Sequence, residues 1–201
     1  MEGGSKTMND EKNNDDLEVR EALPDYDRLY TVEEYYAIEE DIRAELYEGY
    51  LVVMQAPTLR HQRMVTLFIG RLFAFLEGKN CEVFTSPGVH LFEKEATIFL
   101  PDIVVVCDKS KFGIRSVEGA PDFVIEILSP STKRMDRKLK FDKYLKAGVK
   151  EYWIVDPEHN RVEVNLLVNE NYMTKIYNET EKAPVTTLDG FEIDLAGVFA
   201  E

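Results

Sequence analysis

The chain has 201 residues, 44% of them hydrophobic and 11% aromatic, enough apolar side chain for one ordinary globular core and little for two. Its formal net charge of -14 argues against a general polyanion binder, because such proteins usually carry a basic surface. No run approaches the roughly 20 apolar residues of a membrane span. The opening MEGGSKTMNDEKNNDD also lacks the apolar block of a signal peptide, so a cytoplasmic protein with no membrane partner is the simplest expectation.

Residues 1 to 28 are polar and acidic, the composition of a disordered tail, and a single domain is expected over residues 29 to 201. TVEE, from Thr31, has the Thr and Glu of a reciprocal capping box and starts a short helix. AELYEGYLVVM, Ala44 to Met54, reads as two strands around a Glu48-Gly49 turn. From Thr58 to about Glu77, Met64, Leu67, Phe68, Leu72, Phe75 and Leu76 recur at helical intervals, and Gly78 supplies a stop. Tyr35, Tyr36, Phe68 and Phe73 share this helical spacing and are expected in the core. CEVFTSPGVHLF (81 to 92), TIFLPDIVVVCD (97 to 108) and DFVIEIL (122 to 128) are β-branched and aromatic runs between breaks, and read as three strands. Cys81 and Cys107 lie in apolar surroundings without metal-ligand spacing and read as reduced core residues. Lys133 to Ala147 is a basic helix stopped by Gly148, a local positive face on an acidic protein. KEYWIVDPEHNRVEVNLLV then gives a strand, a turn at Asp156-Pro157 and another strand. The order helix, three strands, helix, strand, with hairpins at both ends, predicts an α/β (α+β) fold built on a mixed sheet flanked by helices.

One residue stands out against this pattern. Phe123, Val124, Ile125, Ile127 and Leu128 read as a strand buried on both faces, yet Glu126 lies in its middle. An ionised carboxylate buried without a partner costs several kcal/mol. Asp122 is too far along the same strand to help, because four residues at about 3.3 Å each separate the side chains by roughly 13 Å. Asp102 opens the preceding strand, where neighbours lie about 4.8 Å apart, so Asp102 and Glu126 form the compact acidic pair. A divalent cation would let both stay ionised. An Arg or Lys bonded to Glu126, or an exposed edge, answers the same need.

LPDIVVV, GAPDFVIEILSPST and DRKLKFDKYLKAGVKEYWIVDP, with AELYEGYLVVM and the His61 helix, resemble in order and spacing the Uma-type restriction endonuclease family of the PD-(D/E)XK nuclease superfamily. The likeness runs from about Tyr30 to Val168. It implies a restriction-endonuclease-like αβββαβ core and metal-dependent hydrolysis of DNA phosphodiesters. Asp102, Glu126 and the backbone carbonyl of Ile127 would be ligands to Mg²⁺, or to Mn²⁺ in its place. The superfamily wants Lys two residues after the Glu, on the same strand face, and here that residue is Leu128. In the Uma-type family the lysine moves to the following helix. At 100° per residue Lys140 falls about 40° from Tyr144 and leans toward the sheet, whereas Lys143 points to water. Lys140 is therefore either an aid to the attacking water or a side chain snorkelling along the helix edge. Glu45 matches an acidic family position but reads equally as an ordinary hairpin Glu. His61 matches another, able to act as acid or base, or is a hydrogen-bonded residue of a helix start. Ser129, Ser131 and Thr132 are read as N-capping the basic helix, Asp156 as a turn residue, and His90 and His159 as structural or exposed. The expected function is a Mg²⁺-dependent DNA endonuclease, with DNA as substrate and a homodimer as the unit that cuts both strands. The alternative is a catalytically inactive nuclease-fold module for nucleic-acid or protein binding.

Overall fold

Proline, glycine and the cap residues divide the chain into more pieces than hydrophobic patterning alone suggests. The structure is a computed structural model that describes residues 27–38, 42–130 and 132–200. Apart from Asp27 and Arg28, the expected acidic tail lies outside the described residues, as does Ser131. Helix α1, Val32–Tyr36, starts with the capping box: the Glu34 N–H donates to Thr31 Oγ1 and the Thr31 N–H donates to the Glu34 carboxylate. Strands β1, Ala44–Tyr47, and β2, Tyr50–Val53, pair antiparallel around Glu48 and Gly49. Both turn residues are left-handed, at φ 49° and 88°, as a tight two-residue hairpin requires.

Helix α2, Leu59–Leu76, is capped by the Thr58 hydroxyl, which accepts from the His61 N–H. Met64, Phe68, Leu72 and Leu76 are buried at four-residue intervals, with Leu67 and Phe75 half-buried beside them. Phe73 does not join the core; it is 67% exposed. At 100° per residue it lies about 140° round the helix from Phe68, off the packed stripe.

The two strand-like runs before DFVIEIL each split in two. CEVFTSPGVHLF becomes β3, Glu82–Thr85, and β4, Gly88–His90. TIFLPDIVVVCD becomes β5, Ile98–Phe99, and β6, Ile103–Val106. The breaks fall at Ser86-Pro87 and Pro101, where proline has no N–H for a ladder and Ser86 takes a left-handed φ of 47°. Beyond them lie β7, Ser116–Glu118, β8, Phe123–Ile127, and a π-helical segment Met135–Lys140 that runs into α3, Phe141–Ala147. Gly148, at φ 83°, ends α3. Strands β9, Glu151–Asp156, β10, Arg161–Val168, β11, Asn171–Asn178, β12, Lys182–Pro184, and β13, Glu192–Asp194, precede α4, Ala196–Phe199.

A six-stranded sheet has the order β11-β10-β9-β8-β6-β3 and is antiparallel except at β8 with β9. The other halves of the split runs join the first hairpin in a five-stranded sheet, β2-β1-β5-β4-β7. The predicted αβββαβ core is thus α2, β3, β6, β8, α3 and β9, and the sheet is mixed as expected. Strand alternation then sorts the core residues. Ile103, Val105, Phe123, Ile125 and Ile127 pack with α2, while Val104, Val106, Val124 and Leu128 pack with Phe99, Val89 and Tyr144. Cys81 and Cys107 are not reduced thiols: they form a disulfide across β3 and β6. The Glu82↔Val106 register, extended by one residue, places them opposite each other.

The core face of α2 makes a direct stability prediction. Phe68 is fully buried and edge-on to Trp153, so Phe68→Ala should cost about 3–5 kcal/mol in urea unfolding. Phe73→Ala should stay within about 0.5 kcal/mol of the parent; equal losses for both would contradict this packing.

Candidate functional site

Register brings the predicted acidic pair together. Ile103 pairs with Ile125 across β6 and β8, so Asp102, one residue before β6, stands opposite Glu126. The Asp102 N–H donates to Glu126 Oε2 at 3.4 Å, and the Ile127 N–H donates to Asp102 Oδ2 at 2.8 Å. Both side chains are buried, Glu126 at 4% exposure. Asp122 sits at the other end of β8 and is held there by the Cys107 N–H at 2.7 Å and the Lys150 ammonium at 2.6 Å.

Glu126 does have a cation for a partner, and it is Lys140. Alternation turns Glu126 toward the face covered by α3, and the π-helical segment delivers Lys140 to it. Lys140 is 1% exposed. Its Nζ lies 2.8 Å from Glu126 Oε1, 2.8 Å from Glu45 Oε1 and 3.4 Å from Asp136 Oδ1. Glu45 reaches in from β1 and also accepts from the Leu100 N–H at 2.8 Å, which ties the first hairpin to the loop leading into Asp102. The Tyr144 hydroxyl donates to Glu126 Oε1 at 3.2 Å. Lys143 is not turned to water; it pairs with Glu48 at 3.0 Å and Glu95 at 2.7 Å.

His61, in the first turn of α2, closes the group from the opposite face of the sheet. Its Nε2 lies 3.1 Å from both Asp102 Oδ2 and the Ile127 carbonyl oxygen. A carbonyl only accepts, so Nε2 carries a hydrogen shared between the two oxygens. His61 Nδ1 is buried without a partner. Desolvation disfavours the imidazolium, but the Asp102 hydrogen bond and charge outweigh it and raise the His61 pKa. Burial likewise pushes the Glu126 carboxyl well above its ordinary range, with Lys140 opposing and the other carboxylates reinforcing. Desolvation alone would lower Lys140, yet the charges of Glu126, Glu45 and Asp136 hold it well above normal. Four buried carboxylates, Glu45, Asp102, Glu126 and Asp136, thus face one lysine and one histidine, and the surplus is negative.

The sequence reading missed Asp136, 2% exposed, although its four-residue spacing to Lys140 is a helical pairing signal. The other candidate residues fall into two groups. Glu45, His61, Asp102, Glu126, Ile127 and Lys140 converge; His90, His159 and Asp156 do not join them. Asp156 ends β9, and its Oδ1 accepts from the Glu158 N–H as a turn residue's would. Ser129 and Thr132 cap one another's N–H groups before the π-helical segment, at 3.3 and 3.2 Å. Among the described residues, the three side chains whose ligand atoms all lie within 4.8 Å of one another are Asp156, Glu158 and His159. Asp156 is already committed to Arg137, at 3.0 Å, and to His159. The main acidic group does not converge in that way because Glu45 and Glu126 are turned to Lys140.

A cleft of about 820 Å³ opens onto Asp102, Glu126, Ile127 and His61. The expected positive face of the basic helix is largely cancelled at its edge. Lys133 pairs with Glu158, Arg137 with Asp156 and Glu163, and Lys146 with Glu95. Among the described residues, no helix is long and apolar enough to cross a membrane.

Removing the lysine tests the charge balance of this cage. Lys140→Met leaves buried carboxylates uncompensated and should cost about 3–5 kcal/mol at neutral pH. The folded variant holds a proton on Glu126 more tightly than the unfolded chain does, so its stability falls as pH rises. Chemical denaturation should therefore show a smaller penalty at mildly acidic pH than at mildly alkaline pH. A pH-independent penalty would refute the cage.

Comparison with known proteins places the chain in a family. The sequence model of the Uma2 family, described as "Putative restriction endonuclease", matches residues 25–196. The uncharacterised protein sll1609 of Synechocystis sp. (strain PCC 6803) is 27% identical over 142 residues, 68% of this chain and 80% of that protein. A second uncharacterised protein of that organism, slr1290, is 31% identical over 118 residues, 56% of this chain and 60% of that protein. The crystal structure of a "putative nuclease belonging to DUF820" from Anabaena variabilis ATCC 29413 superposes with a TM-score of 0.71 at 20% identity, over 85% of this chain and 97% of that one. The chain therefore has a nuclease fold and belongs to the Uma2 family.

Proposed function

We propose that this protein is a metal-dependent endonuclease that hydrolyses DNA phosphodiester bonds. The observation that carries the reading is the registered pair Asp102 and Glu126 lining the cleft, with Asp102 Oδ2 and the Ile127 carbonyl oxygen close enough together that both lie 3.1 Å from His61 Nε2. Hard oxygens with surplus negative charge fit a divalent cation, and Asp102, Glu126 and Ile127 are the residues that would hold Mg²⁺ or Mn²⁺. When bound, such an ion supplies Lewis acidity at the phosphoryl oxygen and a more acidic water.

The remaining roles fall to side chains already in place. Lys140, beside Glu126 Oε1, supplies the positive charge that the superfamily takes from the position of Leu128, and favours the ionised carboxylate. Glu45 fixes Lys140 against the loop before Asp102. His61 Nε2 holds a proton at the same two oxygens and is the group able to give or take one near neutral pH. Cutting both strands of a duplex takes two such sites, and a homodimer is the acting unit this reading favours.

A second reading, an inert nuclease-fold module that binds nucleic acid or protein, draws on Leu128. That side chain is packed with the Tyr144 cluster, and no lysine stands at its place on the strand.

Both readings are separable by experiment. Glu126→Gln and Asp102→Asn should each lower Mg²⁺-dependent cleavage of plasmid DNA by about 100-fold or more while the circular dichroism spectrum is unchanged. Full activity in the double variant would exclude the proposed site. Calorimetric titration with Mn²⁺ should show binding that Asp102→Asn weakens; no heat of binding at millimolar metal would favour the inert module.

A further inference from the structure

A nuclease cleft needs a cation for the phosphate backbone, and the cleft's lysines are spent on acids. Lys140 is enclosed by three carboxylates, and Lys133 is paired with Glu158 at 3.0 Å. Arg43 and Arg60 line the same cleft and, among the described residues, bond neutral oxygens only: Arg43 Nη2 donates to Ser86 Oγ at 2.9 Å, and Arg60 Nη2 to Asn160 Oδ1 at 3.0 Å. Their charge is left for an incoming anion.

Position supports this use. Arg43 precedes β1 by one residue and is two before Glu45, so strand alternation sends both side chains to one face. The Met54 N–H donates to the Arg43 carbonyl at 2.9 Å, continuing the hairpin ladder and fixing that register. Arg60 directly precedes His61 at the start of α2, whose first turn holds no acidic residue. The first N–H groups of a helix lack intrahelical acceptors and, with the helix dipole, favour negative charge.

The geometry points to Arg43 and Arg60 as a two-arginine clamp for nucleic-acid backbone phosphates, both lining the cleft that His61 also lines. The inference rests on the endonuclease reading and adds the residues that hold its substrate. It also meets the objection raised by the net charge of -14: a polyanion is received at two points while the rest of the surface stays acidic.

The test is fluorescence anisotropy with a short labelled DNA duplex across a salt series, with Ca²⁺ in place of Mg²⁺ to hold back cleavage. Glutamine preserves a donor toward Ser86 and Asn160, so Arg43→Gln/Arg60→Gln should fold as the parent does. This variant should bind roughly 10- to 100-fold more weakly, and its slope of log affinity against log salt should be shallower by about 2, one for each lost phosphate contact. Arg60→Gln alone, at an exposed position, should lower the slope by about 1, and Arg43→Lys should retain it. Lys175→Gln/Lys182→Gln removes the same charge from β11 and β12 and should leave the slope unchanged. An undiminished slope in the double arginine variant, with the parent binding DNA, overturns the clamp and spares the endonuclease reading. Absence of any salt-dependent DNA binding by the parent overturns both.

Discussion

Lys140 is the interaction on which the site depends. Its ammonium is removed from water and must be neutralised within the protein, and the neutralising groups come from β1, β8 and its own π-helical segment. A buried cation with one carboxylate would be an ion pair of doubtful net benefit, because desolvation offsets the attraction. With three carboxylates, and Asp102 one strand away, the balance reverses. Burial inclines Glu126 to keep a proton, the neighbouring carboxylates reinforce this, and an added cation would relieve the strain of like charges.

The cation of this cluster does not come from the strand position that the superfamily pattern uses. A lysine two residues after the glutamate projects from the strand itself. Here the strand position holds Leu128, buried with Tyr144 and Ile154, and the ammonium arrives from the helix above. The apolar side chain seals the sheet while the helix provides the charge. Arg43 and Arg60, which line the same cleft, have no carboxylate partner among the described residues.

Much of this was legible in the sequence, for identifiable reasons. The α2 stripe, the Thr31 box and the Glu48-Gly49 turn are local and follow from spacing and cap chemistry. The Asp102–Glu126 pair was legible because Glu126 lies on β8 and Asp102 directly precedes β6, and the spacing of neighbouring strands is fixed. The splitting of two strand-like runs was not, since β-branched residues continue across Ser86-Pro87 and Pro101, and only sheet membership distinguishes the halves. Phe73 was misassigned because helical spacing identifies a stripe but not its width. Lys143 found glutamates, not water, and the cysteines found each other; both outcomes depend on which distant segments become neighbours. Asp136 is an acid within a basic stretch, and its burial beside Lys140 depends on how that segment docks.

The split runs have a further consequence. Because each run leaves one sheet and enters the other, the site draws its residues from both sheets. Glu45, Asp102, Glu126 and Lys140 meet only after both sheets and α3 have docked, so the site is dominated by contacts between residues distant in sequence, which form late in folding. A nascent or partly unfolded chain then carries its carboxylates apart from their lysine. Competence toward DNA would be coupled to completion of the fold, a safeguard built from topology.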